Sequence, residues 1–92
     1  MCTYLTERLE VDGSGRFADG WAALRNATVY FDHPVHAMAE HTVNIDFFTS
    51  ADGGGRRIAV ELTPASAREL AAAIERAIAS APAELVEAAT RR

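Results

Sequence analysis

Strict alternation of apolar and polar residues between Thr42 and Phe48 is the feature that most limits the fold. Val43, Ile45 and Phe47 occupy the odd positions, and polar residues occupy positions 42, 44 and 46. In an extended chain, successive side chains point to opposite faces, so this segment has one apolar and one polar face. The segment is therefore predicted to be a half-buried β-strand.

Three more segments show a strand pattern. Residues 57–63 repeat the alternation clearly, residues 21–32 carry it on their odd positions, and residues 3–11 carry it with an interruption. Glycine-rich segments at 12–20 and 49–55 are predicted to be loops or turns. The positions predicted to face a core are Leu5, Leu9, Trp21, Val29, Phe31, Val43, Ile45, Phe47, Ile58, Val60 and Leu62.

A helix is predicted after the fourth strand, because Thr63 provides an N-cap and Pro64 suits the first helical position. Apolar residues then recur at helical spacing as far as Ile78, and Pro82 indicates an end near Ser80. This stripe is predicted to cover the apolar face of the sheet, with Leu70 and Ile74 in the core. Its members are Ala67, Leu70, Ala71, Ile74, Ala77 and Ile78.

The order of these elements predicts an α+β fold. The short connections between strands favour antiparallel hairpins, so we expect a four-stranded meander followed by one C-terminal helix packed on one face, ββββα. Residues 1–81 are predicted to form a single domain. Residues 82–92 are predicted to be a short helical or disordered C-terminal tail, with 83–89 as the candidate helix.

Composition excludes several classes of function. The 92 residues carry a formal net charge of -4 and nine scattered basic residues, so we expect no nucleic-acid partner. A membrane span needs about 18 consecutive apolar residues, and no apolar run in the chain comes near that length. Residues 1–8 have neither the basic nor the apolar segment of a signal peptide. We therefore expect a cytoplasmic protein with no membrane partner. The single cysteine, Cys2, cannot form an internal disulfide.

A homodimer is expected, because one helix covers only one face of a four-stranded sheet and a chain of this size is marginal alone. The alternation places Tyr4, Leu24, Tyr30 and Phe48 on the face opposite the helix. Aromatic side chains among amides suit a dimer contact, and they equally suit the floor of a small-molecule site.

All three histidines fall within nine residues, at His33, His36 and His41. His33 continues the parity of strand two and His41 begins that of strand three, so a hairpin closed by residues 34–40 would place the two rings opposite each other. Three imidazoles with an open fourth position suit a divalent transition metal such as zinc or copper. Cys2 is the candidate fourth ligand.

Two functions compete on this evidence. In the first, the histidines hold a metal, Glu40 and Asp46 transfer protons, and the protein is a metal-dependent lyase or hydrolase. In the second, the protein is a non-enzymatic dimeric module for ligand binding or protein interaction. His33 and His41 would then be half-buried residues at the hairpin end, hydrogen-bonded to backbone, with His36 in solvent. Catalysis by histidine without a metal is a third, weaker alternative.

Several short strings resemble a known family. They are MCTYLTE at 1–7, YFDHPVH at 30–36, AEHT at 39–42, NIDF at 44–47 and ELT at 61–63. With these strings the chain resembles a small family of conserved actinobacterial proteins of unknown function. The resemblance covers nearly all of residues 1–80, and it implies no activity.

Overall fold

The computed structural model describes residues 5–90 as four strands and two helices. The strands form one antiparallel sheet in the order β1-β2-β3-β4, which confirms the predicted meander and the α+β class. The prediction of one helix is wrong, because a second helix follows the first. The elements are β1 (Thr6–Phe17), β2 (Gly20–Asp32), β3 (Thr42–Phe48), β4 (Arg57–Leu62), α1 (Pro64–Ser80) and α2 (Ala83–Thr90).

Local sequence accounts for both ends of α1. The Thr63 hydroxyl accepts the backbone N–H of Ser66 at 3.2 Å, and Pro64 opens the helix. The helix ends at Ser80, as predicted from Pro82. α2 then begins at once, because the carbonyl of Pro82 accepts the backbone N–H of Leu85 at 3.0 Å and starts a new helical turn. The helical alternative for the tail is therefore the observed one.

The predicted loop at 12–20 is wrong. β1 continues through the glycines to Phe17 and pairs with β2 along its length, so only residues 18–19 turn the chain. Gly20 has a φ of 127°, a conformation that favours glycine. Between Glu10 and Gly13 the register shifts by one residue, which is a β-bulge. The turn-like composition of this segment reflects a bulge within a strand.

The alternation of faces along β2 is interrupted between residues 24 and 27, opposite the β-bulge of β1. A Cβ on Gly15 would stand 2.9 Å from Ile58 Cδ1 and 3.0 Å from Leu24 Cδ1, so the Leu24 and Ile58 side chains meet on one face. Ala27 lies on that same face through its pairing with Phe47. Leu24 is buried, against the prediction that it faces away from the core. Trp21, predicted in the core, is 67% exposed.

The sheet has two distinct faces. Residues that pair directly across β2, β3 and β4 form a row, and the side chains of one row lie on the same face of the sheet. The apolar face consists of Ala27, Val29, Phe31, Val43, Ile45, Phe47, Ile58, Val60 and Leu62. The polar face consists of Asn26, Thr28, Tyr30, Asp32, Thr42, Asn44, Asp46, Phe48, Arg57, Ala59 and Glu61.

The apolar face is not covered by α1 of its own chain. None of the residues of α1 is buried, and its few contacts with the sheet are to β3 and β4. Leu70 and Ile74 are 45% and 51% exposed, and Leu5 and Leu9 are also exposed, so the predicted placement of these four residues in the core is wrong for the single chain. Among the described hydrophobic residues, the buried ones are Leu24 and Ala27.

Candidate functional site

The connection between β2 and β3, residues 33–41, folds over the polar face and is held there by Glu61. One carboxylate oxygen, Oε2, accepts the backbone N–H of Val35 at 2.5 Å. The other, Oε1, accepts those of His36 at 3.0 Å and Ala37 at 2.8 Å. These hydrogen bonds lower the pKa of the Glu61 carboxyl, and the bond from Val35 has the largest effect. The carboxylate therefore anchors three consecutive residues of the connection.

Short-range hydrogen bonds also lie at the two strand ends that flank this connection. Asp32 Oδ1 accepts the backbone N–H of His33 at 2.7 Å, where the chain leaves β2. Where it enters β3, the Thr42 hydroxyl donates to Asn44 Oδ1 at 2.6 Å. Thr42 is fully buried and Asn44 nearly so. Within the described part of the chain, every buried side-chain N or O atom has a hydrogen-bond partner.

A groove of about 690 Å³ lies between this connection and the polar face; we call it the polar cleft. Its volume falls in the range of small-molecule sites, about 300–1,000 Å³. The residues that line it are Tyr30, Asp32, His33, Val35, His36, Ala37, Asn44, Asp46, Arg57, Ala59, Val60 and Glu61.

Asp46 forms the floor of the polar cleft, with a side chain that is 8% exposed. Its Oδ2 accepts the hydroxyl of Tyr30 at 3.3 Å. Its Oδ1 lies 4.0 Å from Nε of Arg57, beyond hydrogen-bond distance. Burial, and then the Asp46 charge, raise the pKa of Tyr30, which keeps the phenol protonated as a donor.

A second, smaller groove of about 360 Å³ adjoins the polar cleft at Tyr30. The turn between β3 and β4 closes one side of it, where the Asn26 amide donates to the carbonyl of Ala51 at 3.1 Å. A ligand floor was one of the alternatives that the sequence left open for this face, and Tyr30 and Phe48 line this groove. Tyr4 lies outside the described residues. The lining consists of Thr6, Arg8, Asn26, Thr28, Tyr30, Phe48, Asp52 and Gly53.

The structure brings the rings of His33 and His41 together, as the hairpin geometry predicts, but the three histidines do not form a group placed to hold a metal ion. The ring centroids of His33 and His41 are 4.4 Å apart, and His41 also stacks on Phe31 at 5.4 Å. His33 Nδ1 lies 3.0 Å from the Glu40 carbonyl oxygen. His36 is exposed and lines the polar cleft, which His41 does not.

Metal binding by the three histidines stays a prediction. Within residues 5–90 there is no group of three or more His, Cys, Asp or Glu side chains placed to hold a metal ion. The fourth predicted ligand, Cys2, lies outside the described residues. The hydrogen bond between His33 and the backbone and the exposure of His36 match the alternative interpretation, in which these residues lie at the hairpin end, although His33 is exposed and not half-buried as that interpretation expects.

The two predicted catalytic carboxylates occupy different surroundings. Asp46 is buried on β3 and lines the polar cleft, whereas Glu40 is exposed in the connection and does not line it. Sequence reasoning missed Glu61, the residue that anchors the connection, and Arg57. The available signal was the position of Glu61 between Val60 and Leu62, because strand alternation turns it away from the apolar face.

Comparison with protein-family models matches residues 1–87 to one family, described as a family of unknown function (DUF6295). The chain belongs to this family. The resemblance to a small conserved family of unknown function is thereby confirmed, and the family brings no activity to the site. Searches of the curated proteins and of the solved structures give no significant match. Neither helix within residues 5–90 has the length and hydrophobicity that a membrane span requires.

Proposed function

We propose that this protein is a non-enzymatic binding module that takes a small, amine-bearing cation in the polar cleft. The observation that carries the proposal is the Asp46 carboxylate. It lies buried on the floor of a groove of ligand size, and the guanidinium beside it stands 4.0 Å away. An ammonium group entering the cleft would give this carboxylate a charged hydrogen-bond donor at close range.

The charge of the lining supports a cation over an anion. Three carboxylates line the cleft, those of Asp32, Asp46 and Glu61, against the single guanidinium of Arg57. The Glu61 carboxylate is already engaged by three backbone N–H groups, which leaves Asp46 as the group best placed to meet a ligand. The ring of Tyr30 beside it provides an aromatic surface of the kind that attracts cations.

The polar groups on the floor favour binding over catalysis. Tyr30 donates to Asp46, so the buried carboxylate is held in place by a neutral phenol. Rigid, mutually oriented polar groups are the arrangement that gives a ligand site its specificity. The proposal corresponds to the non-enzymatic alternative drawn from the sequence, with the polar cleft as its site.

The test is a titration followed by two-dimensional NMR of the untagged protein. Putrescine, choline and arginine amide are the cationic probes, and phosphate, citrate and acetate are the anionic ones. We expect saturable shifts of the backbone signals of Tyr30 and Asn44 with at least one cation. Asp46→Asn should weaken that binding about tenfold or more, because a hydrogen bond to a charged group is worth about 1.5–3 kcal/mol.

Glu10→Gln is the matched control, since Glu10 is an exposed acid on β1 that does not line the cleft. It should leave the affinity unchanged. Equal shifts with the anions, or full affinity in Asp46→Asn, would contradict the proposal.

A metal-dependent lyase or hydrolase is the second candidate. The observation in its favour is the distance of 4.4 Å between the ring centroids of His33 and His41. The test is isothermal titration of untagged, chelator-treated protein with zinc and with copper. This candidate requires that the wild-type protein bind zinc or copper at micromolar concentration and that His41→Ala abolish this binding. If the variant binds the metal equally well, the histidines serve only to stabilise the hairpin.

A further inference from the structure

The rest of the chain leaves two apolar surfaces only partly covered. One is the apolar face of the sheet, on which Val43, Ile45 and Phe47 are only half-buried. The other is the apolar stripe of α1, in which Ile74 and Ile78 are 51% and 47% exposed. A soluble protein rarely leaves large contiguous apolar patches in water, so surfaces of this kind mark an interface.

The chain exposes more surface than a compact monomer of its mass. The accessible surface is 6997 Å², whereas a folded monomer of 9.9 kDa is expected to expose about 5,200 Å². The radius of gyration is 14.8 Å, against about 12 Å for a globular domain of this length. The excess is about 1,800 Å² per chain, so two chains would together remove an area typical of obligate homodimers, about 2,000–5,000 Å².

We propose that the protein is a homodimer in which α1 of each copy lies across the apolar face of the other copy's sheet. The dimensions fit this exchange. The 17 residues of α1 span about 25 Å at about 1.5 Å per residue. Four strands at about 4.8 Å spacing make a sheet about 19 Å wide, and the seven residues of β3 run for about 23 Å. One helix, about 10–12 Å across, is therefore long enough to run along the whole face and covers about half of its width.

The occupant is a second copy because the chain carries both halves of the interface. The stripe of α1 supplies Leu, Ile and Ala side chains, and the sheet supplies Val, Ile and Phe at complementary positions. The charged residues of α1, Arg68, Glu69, Glu75 and Arg76, lie off the stripe and would stay in solvent. An interface with an apolar centre and a charged rim is the arrangement that stable homodimers show.

This interface is not the one that the sequence alone predicts. The sequence assigned the dimer contact to the face of Tyr30 and Phe48, on the assumption that α1 covers the apolar face of its own sheet. Exchange of α1 instead uses the apolar face and leaves the polar cleft open. The proposed dimer interface and the proposed ligand site therefore lie on opposite faces of the sheet. An experiment can contradict one proposal without contradicting the other.

The first test is sedimentation equilibrium of the full chain at micromolar concentration. We expect a species of about 20 kDa, twice the mass of the 9.9 kDa chain. Ile74→Asp should shift it to monomer mass or raise the dissociation constant at least a hundredfold. Ala72→Asp is the control, because it places the same charge on the opposite side of α1 and should leave the mass unchanged. A wild-type monomer would overturn the proposal.

The second test establishes the exchange itself and does not depend on Ile74→Asp folding. In a Cys2→Ser background, one chain carries Ile45→Cys and another carries Ile74→Cys. The two are unfolded together, refolded and treated with a short bismaleimide. Exchange predicts a cross-linked species of about 20 kDa in the mixture. If two Ile45→Cys chains cross-link to each other, sheet packs on sheet and the exchange is overturned. The exchange is also overturned if the protein is a dimer but the Ile45→Cys chain does not cross-link to the Ile74→Cys chain.

Discussion

The two Cδ atoms of Leu24 lie 3.0 and 3.2 Å from the point where a Cβ on Gly15 would stand. Ile58 Cδ1 lies 2.9 Å from the same point, so three residues from three strands meet there. Leu24 is one of the few buried hydrophobic side chains of the described chain, and it packs against Gly15, which pairs with Ala22 on the neighbouring strand.

Gly15→Ala is expected to destabilise the protein by about 1–2 kcal/mol. Its methyl group would crowd Leu24 and Ile58, at a cost of about 1–3 kcal/mol that the lower entropy of the unfolded chain offsets in part. Gly13→Ala is the control within the same strand, because a Cβ there meets nothing within 4 Å. Urea denaturation at one fixed protein concentration measures both, and equal midpoints would contradict the packing.

Leu24→Ala is expected to lower the free energy of unfolding by about 2–5 kcal/mol, because it empties a buried site. Trp21→Ala should change it by only about 0.5 kcal/mol, because the indole is 67% exposed. The sequence alone predicts the reverse order. Urea denaturation again measures the free energy of unfolding. A larger loss of this free energy for Trp21→Ala than for Leu24→Ala would contradict the structure and support the regular alternation that the sequence predicts for β2.

Glu61→Gln is expected to loosen the connection over the polar cleft. The amide side chain keeps one carbonyl oxygen where the carboxylate offered two, and it loses the charge, so the N–H groups of residues 35–37 are held more weakly. Hydrogen exchange at these three amides should speed up about tenfold or more. Glu69→Gln, on the exposed side of α1, is the control, and unchanged exchange in Glu61→Gln would show that other contacts hold the connection.

The same carboxylate makes the connection sensitive to acid. Because the folded state lowers the pKa of Glu61, its contribution to stability is complete above the unfolded value of about 4.3 and is lost as the pH falls through the lowered pKa. The side-chain carboxyl signal of Glu61 in NMR should therefore titrate with a midpoint below about 4.3. A midpoint above that value would show that the three hydrogen bonds do not hold in solution.

Prediction from sequence succeeded where neighbouring residues decide the outcome. The alternation in β3 and β4 and the Thr63–Pro64 start of α1 lie where they were expected, because strand period and capping act over a few residues. It failed at residues 12–15, where glycine and aspartate suggest a loop. In the folded chain, pairing with β2 extends the strand through them, and their partners lie seven to eleven positions further along the chain.

The candidate site was predictable only in part. The placement of His33 beside His41 followed from the hairpin, since residues 32 and 42 are paired. The anchoring of residues 35–37 by Glu61 did not, because the partners are 24 to 26 residues apart. Local patterns carry no information about which distant carboxylate will meet a loop.

By itself, the sequence determined the antiparallel sheet, its apolar and polar faces, and the amphipathic helix that follows, because each depends on the periodicity of a short segment. Only the tertiary structure decided that no residue of α1 is buried and that Leu24 is buried while Trp21 is exposed. The direction in which α1 leaves β4 depends on packing across the whole chain. The hydrophobic period of a segment and the capping of a helix are local properties. The packing of one surface on another is set by contacts between distant residues.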